Sequence, residues 1–403
     1  MSSNKQDSKK IDTILTSAGR DPASNHGVVN PPVYHASTII FPSVAAQEEA
    51  AKHPYDRIGY GRGGTPTQRA LEETMAQIEG GYRCVAVQSG LAAISGAVLG
   101  FVAAGDHVLM TDSAYGPARR LCNLMLKKFG VETTYFDPMI GRDIESLMRP
   151  NTKLVYVEAP GSLTFEVQDI PAIAEVAHKA GAVVITDNTW ATAMYYKPFE
   201  MGADVSVHAG TKYVVGHSDA MLGLIDCATK EMFETVKSTT QLLGYHAAPD
   251  DSYLGLRGLR TLAVRLRRHE QSALEIARWL KTRPEVAQML HPAFADCPGH
   301  DIFKRDFTGS SGLFAFTLKP GYSKAAVDAM LDGMKLFGIG YSWGGFESLM
   351  IRAKPDIFRT AVPWPADQTV IRVHIGLDDV EDLKADLAAG LDRMNHANKK
   401  AVE

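Results

Sequence analysis

The sequence predicts an α/β protein with a mostly parallel central sheet, helices on both faces of it, and a smaller C-terminal α/β domain. Three observations predict this. Short apolar segments alternate with helix-period segments from about residue 63 to residue 255. The strand segments are almost continuously apolar, as strands buried on both faces are. The texture then changes to longer amphipathic helices and fewer strands, which marks a second unit.

The elements follow in order. Residues 1–62 are polar and proline-broken ("VNPPVYHAST", "IIFPS") and read as an extended N-terminal arm, whose first ten residues are expected to fray and carry no apolar signal core. "TPTQRALEETMAQIEGG" predicts a helix with Leu71, Met75 and Ile78 as its apolar stripe and Gly80-Gly81 as its stop. Strands are expected at 84–88, 107–111, 131–136, 153–160, 182–190 and 203–209, and helices at 91–103, 118–130 and 170–181. Residues 63–257 form one domain on this reading, and 258–403 the smaller one. In the latter, "LRGLRTLAVRLRRHEQSALEIARWLKTR" predicts one long helix with its arginines on a solvated or interface face. "SGLFAFTL", "IGYSWGG" and "TVIRVHIG" predict strands, and "DVEDLKADLAAGLDRM" a closing helix.

The bulk numbers exclude several classes. Of 403 residues, 45% are hydrophobic and 22% charged, and the net charge of −4 offers no basic field for nucleic acid. The longest apolar run, Gly90 to Gly105, is too short and glycine-rich to span a membrane. The four cysteines are far apart and match neither a zinc spacing nor a disulfide framework, so a reduced, cytoplasmic protein is expected.

Three features converge on one chemistry. "VQSGLAAISGAVLG" is a strand, a tight turn and a helix start, where free N–H groups and the helix dipole favour an anion such as a phosphate. Asp187 in "AVVITDNTW" is a carboxylate near the C-terminal end of an apolar strand, where open α/β sheets place ligands. Lys212 follows the strand "ADVSVHA", and an amine desolvated there becomes a nucleophile. Each is common alone. Together they make a pyridoxal phosphate site: a phosphate cradle, an acid for the pyridinium and an amine for the aldehyde.

Motifs along nearly the whole chain carry a resemblance. "YGRGGTPT" (60–67), "DHVLMTDSAYGP" (106–117), "TDNTWA" (186–191), "TKYVVGHSDAM" (211–221), "RGLRTLAVRLRRH" (257–269), "RDFTGSSGLF" (305–314), "YSWGGFES" (341–348) and "IRVHIGLDDV" (371–380) occur in order. With them the chain resembles the Cys/Met-metabolism branch of fold-type I pyridoxal-phosphate enzymes, from about Thr13 to Met394.

The resemblance implies a carbon–sulfur β-lyase that cleaves L-cystathionine, with γ-acting relatives as the alternative. It implies that Lys212 binds the cofactor aldehyde, that Asp187 bonds the ring nitrogen and that Tyr115 stacks on the ring. Gly90 and Leu91 would give N–H groups to the phosphate, and Thr211 a hydroxyl. Tyr60 and Arg62 would reach the phosphate of a neighbouring subunit, so that the site is shared within a homo-oligomer, a tetramer built as a dimer of dimers. Arg372 would clamp the substrate α-carboxylate, and Ser342 and Trp343 would line the pocket. Ala209 where many relatives have serine, Thr65 where many have asparagine, and Trp343 where γ-acting relatives tend to be aliphatic all lean toward β-elimination.

Overall fold

The computed structural model describes residues 9–400. The start of the polar segment expected to fray, residues 1–8, lies outside them. Thirteen α-helices and eleven strands occur among the described residues. The arm is not wholly extended: it carries α1 (Ile11–Ser17) and α2 (Val44–Ala51), and α1 packs against the large domain through the buried Leu15.

Next come α3 (Pro66–Glu79), β1 (Arg83–Val87), α4 (Gly90–Phe101), β2 (His107–Thr111), α5 (Gly116–Arg120), β3 (Glu132–Phe136), β4 (Thr152–Glu158), α6 (Ile170–Lys179), β5 (Val183–Asp187), α7 (Thr192–Tyr195), β6 (Val205–His208), β7 (Gly223–Cys227) and α8 (Lys230–Leu242). Thr65 opens α3, its backbone N–H and hydroxyl both donating to Gln68 Oε1 at 2.5 Å. The expected helix over 118–130 is α5 followed by a π-helical turn, Leu121–Leu126.

The seven strands form one sheet in the order β1-β7-β6-β5-β4-β2-β3. Pairs from β6 through β5, β4 and β2 to β3 are parallel. β7, for which the sequence offered no expectation, runs antiparallel to both β1 and β6. The sheet is buried on both faces, with one apolar cluster against α3 and α6 and another against α4.

The second unit holds α9 (Pro249–Leu259), α10 (Leu262–Lys281), β8 (Val286–Leu290), α11 (His300–Asp306), β9 (Leu313–Leu318), α12 (Lys324–Asp332), β10 (Leu349–Ala353), β11 (Val370–His374) and α13 (Val380–Lys400). Its four strands are all antiparallel, in the order β10-β11-β9-β8.

Two expectations fail here for physical reasons. The single long helix is two, α9 and α10, broken at Arg260–Thr261. Arg265 is not on a solvated face: it is buried, and its Nη2 donates to Gly258 O at 2.8 Å. The segment "IGYSWGG" is a loop, not a strand. Gly344 has φ +87°, and a Cβ there would meet Lys212 Cα at 3.0 Å, so this segment lies directly on the Lys212 turn.

Candidate active site

The C-terminal ends of the parallel strands define the site, as open α/β sheets require. Asp187 ends β5 and Glu158 ends β4, and the two are register partners. Adjacent carboxylates in a desolvated place cannot both be charged at ease. Burial pushes Asp187 up, but the Thr189 hydroxyl (2.5 Å) and backbone N–H (3.0 Å) donate to Oδ1 and stabilise its ionised form. The Tyr156 hydroxyl adds a longer bond to Oδ2, 3.4 Å. Burial, then the charge of Asp187, pushes Glu158 well above the usual carboxylate range, and its Oε2 accepts the Tyr115 backbone N–H at 2.7 Å. Both carboxyls are raised by burial, Glu158 the further of the two, while the Thr189 donors favour the ionised form of Asp187.

Lys212 sits in the helical turn after β6, where Gly216 N–H donates to its carbonyl at 2.8 Å. Its amine donates to Ser342 Oγ at 2.7 Å and stands 5.6 Å from the centroid of the Trp343 ring. Burial, and next the Arg372 guanidinium, pull its pKa down to about 8, so the free base becomes a substantial share of the amine at mildly alkaline pH. Beneath it, buried Tyr213 packs against His269, Trp343 and His374, and its hydroxyl accepts the Gly312 N–H at 2.9 Å.

Arg372 comes from the middle of β11, between Ile351 and Ala315 in register. One of its terminal nitrogens donates to the carbonyls of Gly340, Tyr341 and Ser342, at 3.3, 2.9 and 3.2 Å. This ties the arginine to the loop that carries Ser342 and Trp343. Tyr115 opens α5 half-exposed; burial and then Glu158 raise its phenol, while Arg372 acts the other way. Arg372 therefore faces the same cleft as both Lys212 and Tyr115.

At the other end of the cleft, α4 starts with Ser89 as its cap, Oγ accepting the Ala92 N–H at 3.1 Å. Gly90 is required there: a Cβ would stand 2.6 Å from the Ala209 Cβ. Its lack of a side chain lets the helix start abut the end of β6, with Leu91 exposed beside it. Thr211 bridges to Leu222, accepting its N–H at 2.9 Å and donating to its carbonyl at 3.1 Å.

The structure thus gathers Lys212, Ser342, Trp343, Arg372, Tyr115 and Asp187, and sets the α4 start and Thr211 at the ends of the flanking strands. Tyr60 and Arg62 point elsewhere in the single chain. Tyr60 is exposed in an isolated bridge with Thr38, and Arg62 donates to its own chain's Gln241 carbonyl at 2.6 Å.

Sequence reasoning missed Glu158, Tyr156 and Thr189. Two of them carried a signal. Glu158 closes an apolar strand just as Asp187 does, and Thr189 stands two residues after an aspartate, the spacing of a local turn bond.

The donor set fits pyridoxal phosphate: an amine drawn toward its free base, a carboxylate held as an acceptor, and a helix start with unpaired N–H groups. The family profile described as Cys/Met metabolism PLP-dependent enzyme matches residues 12–392. The chain belongs to this family. It is a pyridoxal-phosphate-dependent enzyme of fold type I. It is 52% identical over 94% of its length to a putative cystathionine β-lyase of Rhizobium johnstonii, covering 95% of that protein. It is 44% identical to the cystathionine β-lyase of Escherichia coli K12, over 96% and 99% of the two chains. A relative named L-alanine/L-glutamate racemase, from Wolbachia pipientis wMel, is 40% identical over 97% of this chain and 99% of that one. Among solved structures, cystathionine γ-synthase of Xanthomonas oryzae pv. oryzae superposes with a TM-score of 0.88 at 32% identity, over 96% and 99% of the chains. No helix among the described residues is long and apolar enough to cross a membrane.

Proposed function

We propose that this enzyme cleaves the Cβ–S bond of L-cystathionine, with water, to give L-homocysteine, pyruvate and ammonia, and that it accepts other S-conjugates of L-cysteine. The observation that carries the reading is the Lys212 amine, bonded to Ser342 and lowered to about pKa 8, beside Arg372 in one cleft. Its β-lyase relatives are nearer in sequence than the γ-acting ones.

When bound, the cofactor supplies the electron sink that lets a bond at Cα break. The chain's residues do the rest. Arg372 pairs with the substrate α-carboxylate and fixes the direction of the Cα–H bond. Lys212 Nζ takes the Cα proton and returns a proton to the departing sulfur. Asp187, fixed by Thr189, accepts from the cofactor's ring nitrogen. The α4 start, with Gly90, Leu91 and Thr211, holds the phosphate. Trp343 and Tyr115 wall the cleft against water.

Tyr60 and Arg62 complete the phosphate site of a second subunit in this reading, in a homotetramer assembled from dimers. The arm (1–62) reaches the neighbour, while 63–257 binds the cofactor and 258–403 supplies Arg372 and the Trp343 loop. All four cysteines are free and buried, which suits a reducing cytoplasm.

The test is incubation of the purified holoenzyme with L-cystathionine and identification of the keto acid. Pyruvate with homocysteine supports the reading. Release of 2-oxobutyrate reassigns the enzyme to γ-elimination. Interconversion of alanine enantiomers without keto acid makes it a racemase.

A further inference from the structure

By strand alternation, the face of the sheet opposite Asp187 holds a second ionisable cluster that the chemistry above does not use. His208 ends β6, Glu79 ends α3, and Asp226 lies in β7; all three are buried. His208 Nε2 pairs directly with Glu79 Oε1, and the Asn188 amide donates to the same oxygen at 3.2 Å. Asp226 faces Ser206 and Cys84 across its two neighbouring strands, and the weakly donating Cys84 thiol is the nearest thing to a partner its oxygens have. A buried carboxylate without strong donors is not stable as an anion. Burial, and then Glu79, push Asp226 well up toward its neutral form, so Glu79 is the principal charged partner of His208.

The charge on His208 follows. Burial pulls its pKa down, but the charge of Glu79 and its bond outweigh this and leave it raised, which shifts His208 toward the imidazolium form. The groups that face it are Glu79 from α3, Asp226 from β7 and Asp187 from β5; Lys197 acts on Glu79 from beyond α7. His208 is linked to Asp187 by geometry too. Asp187 pairs in register with Val207, the preceding residue. The next residue, Ala209, donates its N–H to Thr189 Oγ1 at 2.9 Å, and that hydroxyl donates to Asp187.

We propose that the Glu79–His208 ion pair is a positioning device for the cofactor site: its imidazolium, one strand over from Asp187, keeps that carboxylate ionised and so keeps the cofactor's ring nitrogen protonated. This rests on Asp187 as the partner of that nitrogen. In a dry interior little water screens the imidazolium, so even partly offset by Glu79 it favours the Asp187 carboxylate, after the two Thr189 bonds. The direct contact between His208 and Glu79 argues against a cation between them, although Glu79, His208 and Asp226 all offer ligand atoms within 4.8 Å of one another.

The test reads the ring nitrogen itself, through its 15N chemical shift in holoenzyme loaded with labelled cofactor, as a function of pH. His208→Gln leaves Glu79 unpaired, whereas Glu79→Gln keeps the packing and leaves a neutral imidazole. The nitrogen should lose its proton about one pH unit lower in His208→Gln, and by a smaller step in Glu79→Gln, with kcat/KM falling roughly tenfold in the former. Asp187→Asn is the reference. If it deprotonates the nitrogen while both other variants, folded and loaded, titrate like wild type, the ion pair is only structural and the proposal falls. If Asp187→Asn leaves the nitrogen protonated, the reading of Asp187 falls first. Stoichiometric divalent metal in the purified protein, lost in Asp226→Asn, would also overturn it.

Discussion

The Lys212 amine donates to the Ser342 hydroxyl at 2.7 Å, and that single bond joins the turn after β6 of the large sheet to the loop before β10 of the small one. Two distant parts of the chain therefore meet on one nitrogen. Replacing Lys212 with alanine should abolish keto-acid release and leave the cofactor removable by dialysis, since nucleophile and proton carrier vanish together. Ser342→Ala should keep the cofactor and lose activity by only severalfold, the size of one ordinary hydrogen bond, about 1 kcal/mol. Turnover and the visible absorbance of dialysed protein check both. Near-normal turnover by Lys212→Ala would end the mechanism.

The lowered pKa of Lys212 gives a pH dependence with a definite sign. Below about 8 the amine is mostly protonated, and above it mostly free base, the form that would react with the cofactor aldehyde. Cofactor uptake by stripped protein should therefore accelerate with rising pH, with a midpoint near 8. Burial is the larger cause and Arg372 the second, so Arg372→Leu should move the midpoint upward without abolishing uptake. The same variant should reduce kcat/KM by roughly ten- to a thousandfold, mostly through KM, with Arg372→Lys recovering part, because lysine keeps the charge but not the two-pronged geometry. A stable KM together with a lost visible band would assign Arg372 to the cofactor or the fold.

Arg62 donates to its own chain's Gln241 carbonyl at 2.6 Å and is exposed on the arm; in the proposed assembly it reaches a second subunit. Arg62→Ala should weaken cofactor retention. Mixed with Lys212→Ala, it should regain activity, since a hybrid dimer holds one site with both residues intact. Absence of recovery after proven subunit exchange would mean that Arg62 serves its own chain.

Acid should destabilise the second domain through its buried histidines. Burial pulls His269 down to about 4 and His291 to about 3, and His374 also lies well below its ordinary value. The unfolded chain takes up protons near 6.5 while the folded one does not. Stability is thus full above about 6.5 and falls as pH drops toward 4, by up to about 3 kcal/mol for His269 alone. Urea midpoints of the holoenzyme at fixed concentration should show this slope, and His269→Gln should flatten it. An unchanged slope in a folded variant would remove His269 from the account.

Much of this was written locally. The apolar runs and their spacing predicted the parallel sheet because hydrophobic periodicity is a property of consecutive residues. β7 escaped notice because "GLIDC" carries an aspartate in a five-residue strand, and that aspartate is tolerable only where the fold pushes it toward its neutral form. The break between α9 and α10 escaped for a related reason: Arg265 reads as a surface residue until the Gly258 carbonyl is seen to receive it.

By itself the sequence determined the family, the cofactor, the alternating strands and helices that make the parallel part of the large sheet, and the placing of Asp187 at the end of a strand and Lys212 just after one. Those depend on neighbours in the chain and on motifs. Only the tertiary structure decided which carboxylate of the Asp187–Glu158 pair is raised further, how far the Lys212 amine is lowered, and that "IGYSWGG" is a loop lying on the lysine turn. These are matters of desolvation, charge and close contact between segments far apart in sequence. A glycine with positive φ against the Lys212 backbone, and an arginine from the other sheet, exist as neighbours only once both sheets have packed.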